Sequence, residues 1–144
     1  MRIDMLHHLT APRLTVIGED ATVKSAALAL SRPGIGLVVV CGRGGEIAGV
    51  ISKSDLIRHL QNGGTAEAAA ATQMSASIVS CRPEDDLYGT WQLMAARQLQ
   101  HLPVLSDRAP VGVLDLADAL RTLLRHEQYQ ECLLLNYIAG HGYQ

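Results

Sequence analysis

A serine followed three residues later by an aspartate, both just after a glycine and a short apolar run, can hold a phosphorylated nucleoside. Gly49-Val50-Ile51-Ser52-Lys53-Ser54-Asp55 carries this pattern. The apolar run predicts a strand, and the polar residues after it predict a helix start. A helix start exposes unpaired N–H groups and the positive end of the helix dipole, and both favour phosphate. Ser52 adds a hydroxyl donor there. Asp55, one turn in, offers acceptors to a pair of vicinal hydroxyls such as ribose O2′ and O3′, the part an acidic residue plays in dinucleotide folds. Gly49 would let a ligand come close to the strand backbone. The same residues also make a capping box with Asp in the usual Glu or Gln position, worth about 1 kcal/mol. For one copy alone, capping is the plainer explanation.

The pattern occurs twice. Gly112-Val113-Leu114-Asp115-Leu116-Ala117-Asp118 returns 63 residues later, and its flanks return with it. An internal repeat sets the architecture, so the elements are read in pairs. Leu14–Ile17 predicts a strand, and Val23, Ala26, Ala27 and Leu30 recur at helical spacing, with Asp20 or Thr22 as cap. Leu37–Cys41 predicts a buried strand, Gly42–Gly45 a hairpin turn, Glu46–Ile51 the returning strand and Ser52–Leu60 a second helix. The second copy runs in the same order: strand Ile78–Cys81, helix Asp85–Arg97, strand Leu102–Leu105, turn Ser106–Pro110, strand Val111–Leu114, then a helix from about Leu116. The expected fold is therefore α/β (α+β), two pseudo-symmetric β-α-β-β-α repeats over 9–61 and 73–125. A linker spans 62–72 and a helical tail spans 126–144. Each sheet is too small to be stable alone, so the two must pack together. In the tail, Leu134, Tyr137 and Ile138 extend an apolar stripe from Leu123. It either covers its own domain or packs on a second protomer.

Together these features resemble the tandem cystathionine-β-synthase (CBS) domain pair, or Bateman module. The two Gly…Asp motifs carry the resemblance, with His101-Leu102-Pro103-Val104 before the second hairpin and Met74-Ser75-Ala76-Ser77-Ile78-Val79 opening the second repeat. The resemblance implies a disc with two clefts between the repeats, often paired into a homodimer. It implies an adenosine-containing ligand: AMP, ADP, ATP or S-adenosylmethionine. Asp55 and Asp118 would hold ribose hydroxyls in separate clefts, and Ser52 would contact phosphate. Thr15, Val16, Val38, Ile78, Val79 and Pro103 would border adenine, with Gly49 and Ile51 beside them on the motif strand.

The second copy departs from this pattern, because Asp115 stands where a Ser or Thr is expected. A carboxylate there still caps a helix but repels phosphate, by several kcal/mol at an effective dielectric of about 20. The Asp55 cleft is therefore expected to be the better phosphate site. The Asp118 cleft is expected to be empty, or to hold a ligand with little phosphate or one bridged by a cation. Arg13, Lys53, Arg97 and His101 are the basic residues that could neutralise a phosphate, though for each an ordinary solvated surface charge is the plainer reading. His101 leads them, because it begins the strand bordering the second cleft. Adjacent His7 and His8 read as a solvated pair rather than a metal site.

The 144 residues contain no Phe and one Trp, so the core is aliphatic. A net charge of −2 and the lack of aromatic platforms argue against nucleic-acid binding. Three cysteines, Cys41, Cys81 and Cys132, fit no zinc spacing and read as free thiols in a reducing compartment. Without a signal peptide or an apolar run of about 20 residues, the chain reads as cytoplasmic and free of the membrane. No nucleophile–base pair, phosphate loop or metalloprotease motif appears, so no catalytic residue is assigned. The expected function is a stand-alone sensor that binds an adenosine-containing ligand and signals to an unknown regulated protein. A structural dimerisation module with empty clefts is the alternative, and a small nucleotide-dependent enzyme is a third class.

Overall fold

The computed structural model describes residues 1–127. Cys132 and the apolar stripe through Leu134, Tyr137 and Ile138 lie outside the described residues. The elements are α1 (His7–Thr10), β1 (Val16–Gly18), α2 (Val23–Leu30), β2 (Leu37–Cys41), β3 (Ile47–Ser52), α3 (Lys53–Gln61), α4 (Leu87–Ala96), β4 (His101–Ser106) and β5 (Ala109–Asp115). A last helix, α5, is described over 116–127. The mixed α+β architecture and the duplication are as expected.

In the first repeat, β2 lies between β1, to which it is parallel, and β3, to which it is antiparallel. All five residues of β2 are buried, as its unbroken apolar run requires. Thr22 caps α2 by accepting from the Ser25 N–H. The buried face of α2 is Val23, Ala26, Ala29 and Leu30, so Ala29 replaces Ala27 in the expected stripe.

The second repeat differs in one place. Its sheet has only β4 and β5, and the strand expected over Ile78–Cys81 is reduced to a single parallel bridge, Cys81 to Val104. Leu105 N–H donates to the Cys81 carbonyl, and Cys81 N–H donates to the Pro103 carbonyl. The next rung would need an N–H from residue 103, and proline has none. In the first repeat the same rung is made by Val39 N–H to the Thr15 carbonyl, at 2.9 Å. The turn between β4 and β5 is also tighter than the Ser106–Pro110 stretch predicted. It consists of Asp107 and Arg108, both at positive φ (49° and 69°), as a two-residue hairpin demands.

Each repeat is completed by the segment that precedes the other. Residues before β1 pair with the second repeat: Ile3 N–H donates to the Asp85 carbonyl, and Leu87 N–H donates to Met1. Ile3 and Leu6 are buried with Leu87, Met94 and Leu102. The linker does the same for the first repeat, where Val23 N–H donates to Ala68 and Ala70 N–H to Ala21. Ala70 and Met74 join the core under α2. A third cluster, with Leu37, Val39, Cys41 and Ile47 against Val113, joins the two sheets. Among the described residues, no helix is long and apolar enough to cross a membrane, and no group of three or more His, Cys, Asp or Glu could hold a metal ion.

Candidate functional site

The two copies of the motif fold alike and then diverge in their electrostatics. Ser52 caps α3: its Oγ accepts from the Asp55 N–H at 3.4 Å, and Asp55 Oδ2 accepts from the Ser52 N–H at 2.8 Å and from its hydroxyl at 3.1 Å. The capping box is thus fully formed. The other carboxylate oxygen, Oδ1, meets only Arg58 among the described partners, at 3.3 Å, and the Arg58 side chain is 65% exposed. An exposed guanidinium is easily displaced. Asp55 therefore keeps one oxygen available to a ligand.

In the second copy Asp115 performs the cap, with its Oδ1 accepting from the Asp118 N–H at 2.9 Å. A carboxylate cap leaves two acidic groups a turn apart, and two guanidinium groups and an imidazole gather around them. Arg13 Nε donates to Asp118 Oδ2 at 2.7 Å, Arg121 donates to Asp118 Oδ1 at 2.6 Å, and His101 Nε2 lies 3.2 Å from Asp115 Oδ2. Burial pushes the Asp118 pKa up, but hydrogen bonds from Arg13 and Arg121 outweigh it and hold the carboxyl below its ordinary value. Arg13 is thus part of a cross-repeat ion cluster rather than a solvated surface charge.

Between the repeats lies a cleft of about 530 Å³. One wall is the start of α3 (Ser52, Lys53, Ser54), with Gly36 and Leu37 leading into β2. The other is the loop from α4 into β4, Gln98 to His101. The His101 ring lies directly over Gly36, where any Cβ would overlap it. Burial pulls the His101 pKa down, Asp115 pulls it up, Arg13 and Lys53 pull it down, and the net direction is down. The unfolded chain therefore takes up this proton first on acidification. Stability falls once pH drops below the unfolded value of about 6.5 and keeps falling to the folded pKa. Melting followed between about pH 7 and 5 should decline more steeply in the wild type than in His101→Gln. Equal slopes would show that the ring carries no such linkage.

The cleft gathers Ser52, Lys53 and His101 of the expected residues and adds Ser54, Gly36, Leu37 and the 98–100 loop, while Asp55, in the first turn of α3, is not among its lining residues. Others are elsewhere. Val38 and Ile51 are wholly buried and pair with each other inside the first core, so their side chains cannot border a ligand. The space over Gly49 is filled by the chain itself. A Cβ there would lie 2.5 Å from Met74 Sδ and 2.9 Å from the Ser75 carbonyl oxygen, so the close approach is internal rather than by a ligand. Thr15 and Val79 are half-buried, Val16 is exposed, Ile78 packs on the cluster joining the sheets, and Pro103 is buried in β4. Gly36 was missed by sequence reasoning. Its only signal was a glycine immediately before a buried strand.

Comparison with known proteins follows the same outline. The family model described as CBS domain matches residues 6–62 and again 69–125. The chain is 27% identical over 131 residues to the CBS domain-containing protein CBSX3, mitochondrial, of Arabidopsis thaliana, covering 86% of this chain and 63% of that one. It thus spans less than two thirds of that relative's length. The CBS domain protein PAE2072 from Pyrobaculum aerophilum, complexed with AMP, superposes with a TM-score of 0.71 at 20% identity, covering 82% of this chain and 89% of that one. The CBS domain pair of protein MJ0100, in complex with 5′-methylthioadenosine and S-adenosyl-L-methionine, gives 0.73 at 14% identity, covering 88% and 98%.

Proposed function

Because this chain belongs to the CBS domain family, we propose that it is a regulatory module binding an adenosine-containing ligand, AMP, ADP, ATP or S-adenosylmethionine, with the Asp55 cleft as its working site. The observation that carries this reading is the asymmetry of the two aspartates. Asp55 keeps Oδ1 behind one exposed arginine, beside a cleft with Lys53 and the α3 N-terminus. The ribose diol would take Asp55 Oδ1, and phosphate would meet Lys53, the Ser54 hydroxyl and the helix dipole. Ser52 contributes mainly by holding Asp55. The ligands of the two solved relatives support the adenosine class. Binding, not catalysis, is the proposed role, with the module passing a change of shape to a partner protein. Such signalling requires the ligand to prefer one conformation.

A second reading is favoured by one observation. Leu28 on α2, Ile57 and Leu60 on α3, and Leu120 and Leu124 on α5 are exposed. Apolar helix faces of this kind suit pairing of two protomers into a homodimer, which could serve a purely structural module. Thermal-shift titration with AMP, ATP, S-adenosylmethionine and NAD separates the two. At saturating ligand, about 100 times Kd, an adenosine ligand should stabilise by about 2.7 kcal/mol. No shift with any of them at millimolar concentration leaves the structural reading standing.

A further inference from the structure

We propose that Arg13 is a built-in occupant of the Asp118 cleft, closing it to nucleosides so that each protomer takes one ligand. The inference rests on the reading of Asp118 as the second copy of a diol-binding aspartate. Three observations support it. First, Asp118 Oδ2 is filled by the shielded guanidinium of Arg13, while Oδ1 meets Arg121, which is 58% exposed and as displaceable as Arg58 on Asp55. A neutral hydroxyl competes poorly with a guanidinium for a carboxylate, because charge-assisted hydrogen bonds are about twice as strong.

Second, Arg13 is held at both ends of its fork. Its Nε donates to Asp118, and its NH1 donates to the Gly34 carbonyl at 2.8 Å, in the loop after α2. The side chain is 24% exposed and Asp118 only 9%, so this pair is far better shielded than Arg58 with Asp55. Third, the space left around it is small. The hollow lined by Arg13, Gly34 and Asp118 measures about 270 Å³, half the cleft beside Ser52. Small-molecule sites span about 300–1,000 Å³.

The occupant follows from the substitution in the motif. The Ser52 hydroxyl donates to one oxygen of Asp55, whereas the ionised Asp115 side chain has no hydrogen to donate to Asp118. The freed carboxylate needs a cation, and Arg13 supplies it from the other repeat. Removing that cation exposes an aspartate that still faces a cleft, now with room for a nucleoside. A phosphorylated ligand would still meet Asp115, so the opened cleft should prefer adenosine to AMP.

Calorimetry with adenosine as the probe tests this on the full chain, using wild type, Arg13→Met, Arg13→Gln and Arg13→Met with Asp118→Asn, each checked first by melting. The wild type should bind one adenosine. R13M should bind two, the second at least tenfold tighter than any second site in the wild type, and adding D118N should abolish it. Two sites in the wild type, or a folded R13M that gains no site over the wild type, overturns the proposal. If R13M does not fold, R13Q decides, since it removes the charge but keeps an amide donor for the Gly34 carbonyl: a second site supports the proposal and its absence overturns it. If the wild type binds none and R13M binds one that depends on Asp118, the closing role stands and the Asp55 reading falls. If neither binds, both fall.

Discussion

Asp55→Asn should weaken AMP binding roughly ten- to hundredfold, while Asp118→Asn should leave it nearly unchanged. A hydrogen bond to a charged acceptor contributes about 1.5–3 kcal/mol, and each 1.4 kcal/mol is tenfold in Kd. Asn is chosen because its side-chain oxygen can still accept from the Ser52 N–H, which Asp55 does at 2.8 Å. The cap is thereby preserved, and its loss, worth about 1 kcal/mol, is not confused with lost binding. Asp118 is predicted to be silent because it is itself 9% exposed and its Oδ2 is held by the shielded Arg13. Calorimetry on the two variants, with melting curves as a folding control, checks the claim. Equal losses from both would mean that the clefts are equivalent. A loss from D118N alone would reverse the assignment.

The asymmetry behind that expectation was half legible in the chain. The element order followed from hydrophobic periodicity and from the repetition itself, because each pattern of two or 3.6 residues appears twice. Asp115 in place of a serine was visible as a charge conflict. What resolves the conflict was not visible, since Arg13 lies 105 residues from Asp118 and only the fold brings them together. The lost strand at Ile78–Cys81 had a local signature, Pro103, but its effect depends on which partner needs that N–H. Register is a tertiary property, and periodicity does not report it. The cleft wall from Gln98 to His101 was likewise hidden, because a loop announces its composition and not its neighbour.

Gly49 shows the same limit, and it leads to a sharp expectation. A glycine says that something comes close without saying what. Here it is the segment opening the second repeat, Met74-Ser75, and at the equivalent Gly112 it is Thr10 from the segment opening the first. A Cβ on Gly112 would lie 2.6 Å from Thr10 Oγ1 and 3.1 Å from its backbone carbon. A Cβ on Gly49 would meet the Ser75 carbonyl, which accepts from Val50 N–H while Ser75 N–H donates back to Val50 at 2.8 Å. Met74 can swing aside, but the Ser75 backbone cannot move without breaking that pair. Gly49→Ala and Gly112→Ala should each cost about 1–3 kcal/mol from overpacking, plus about 1 kcal/mol for each hydrogen bond lost. Against a typical stability of about 5–15 kcal/mol that is a large fraction, readable by denaturant unfolding. Thr10→Gly should restore part of the loss in Gly112→Ala and none in Gly49→Ala, because the contacts are private to each crossing. If Gly49→Ala instead kept full stability and lost only AMP binding, the close approach at that strand would belong to the ligand after all. If both variants were neutral, the crossing segments would not be what holds the two repeats, and the clefts between them, in register.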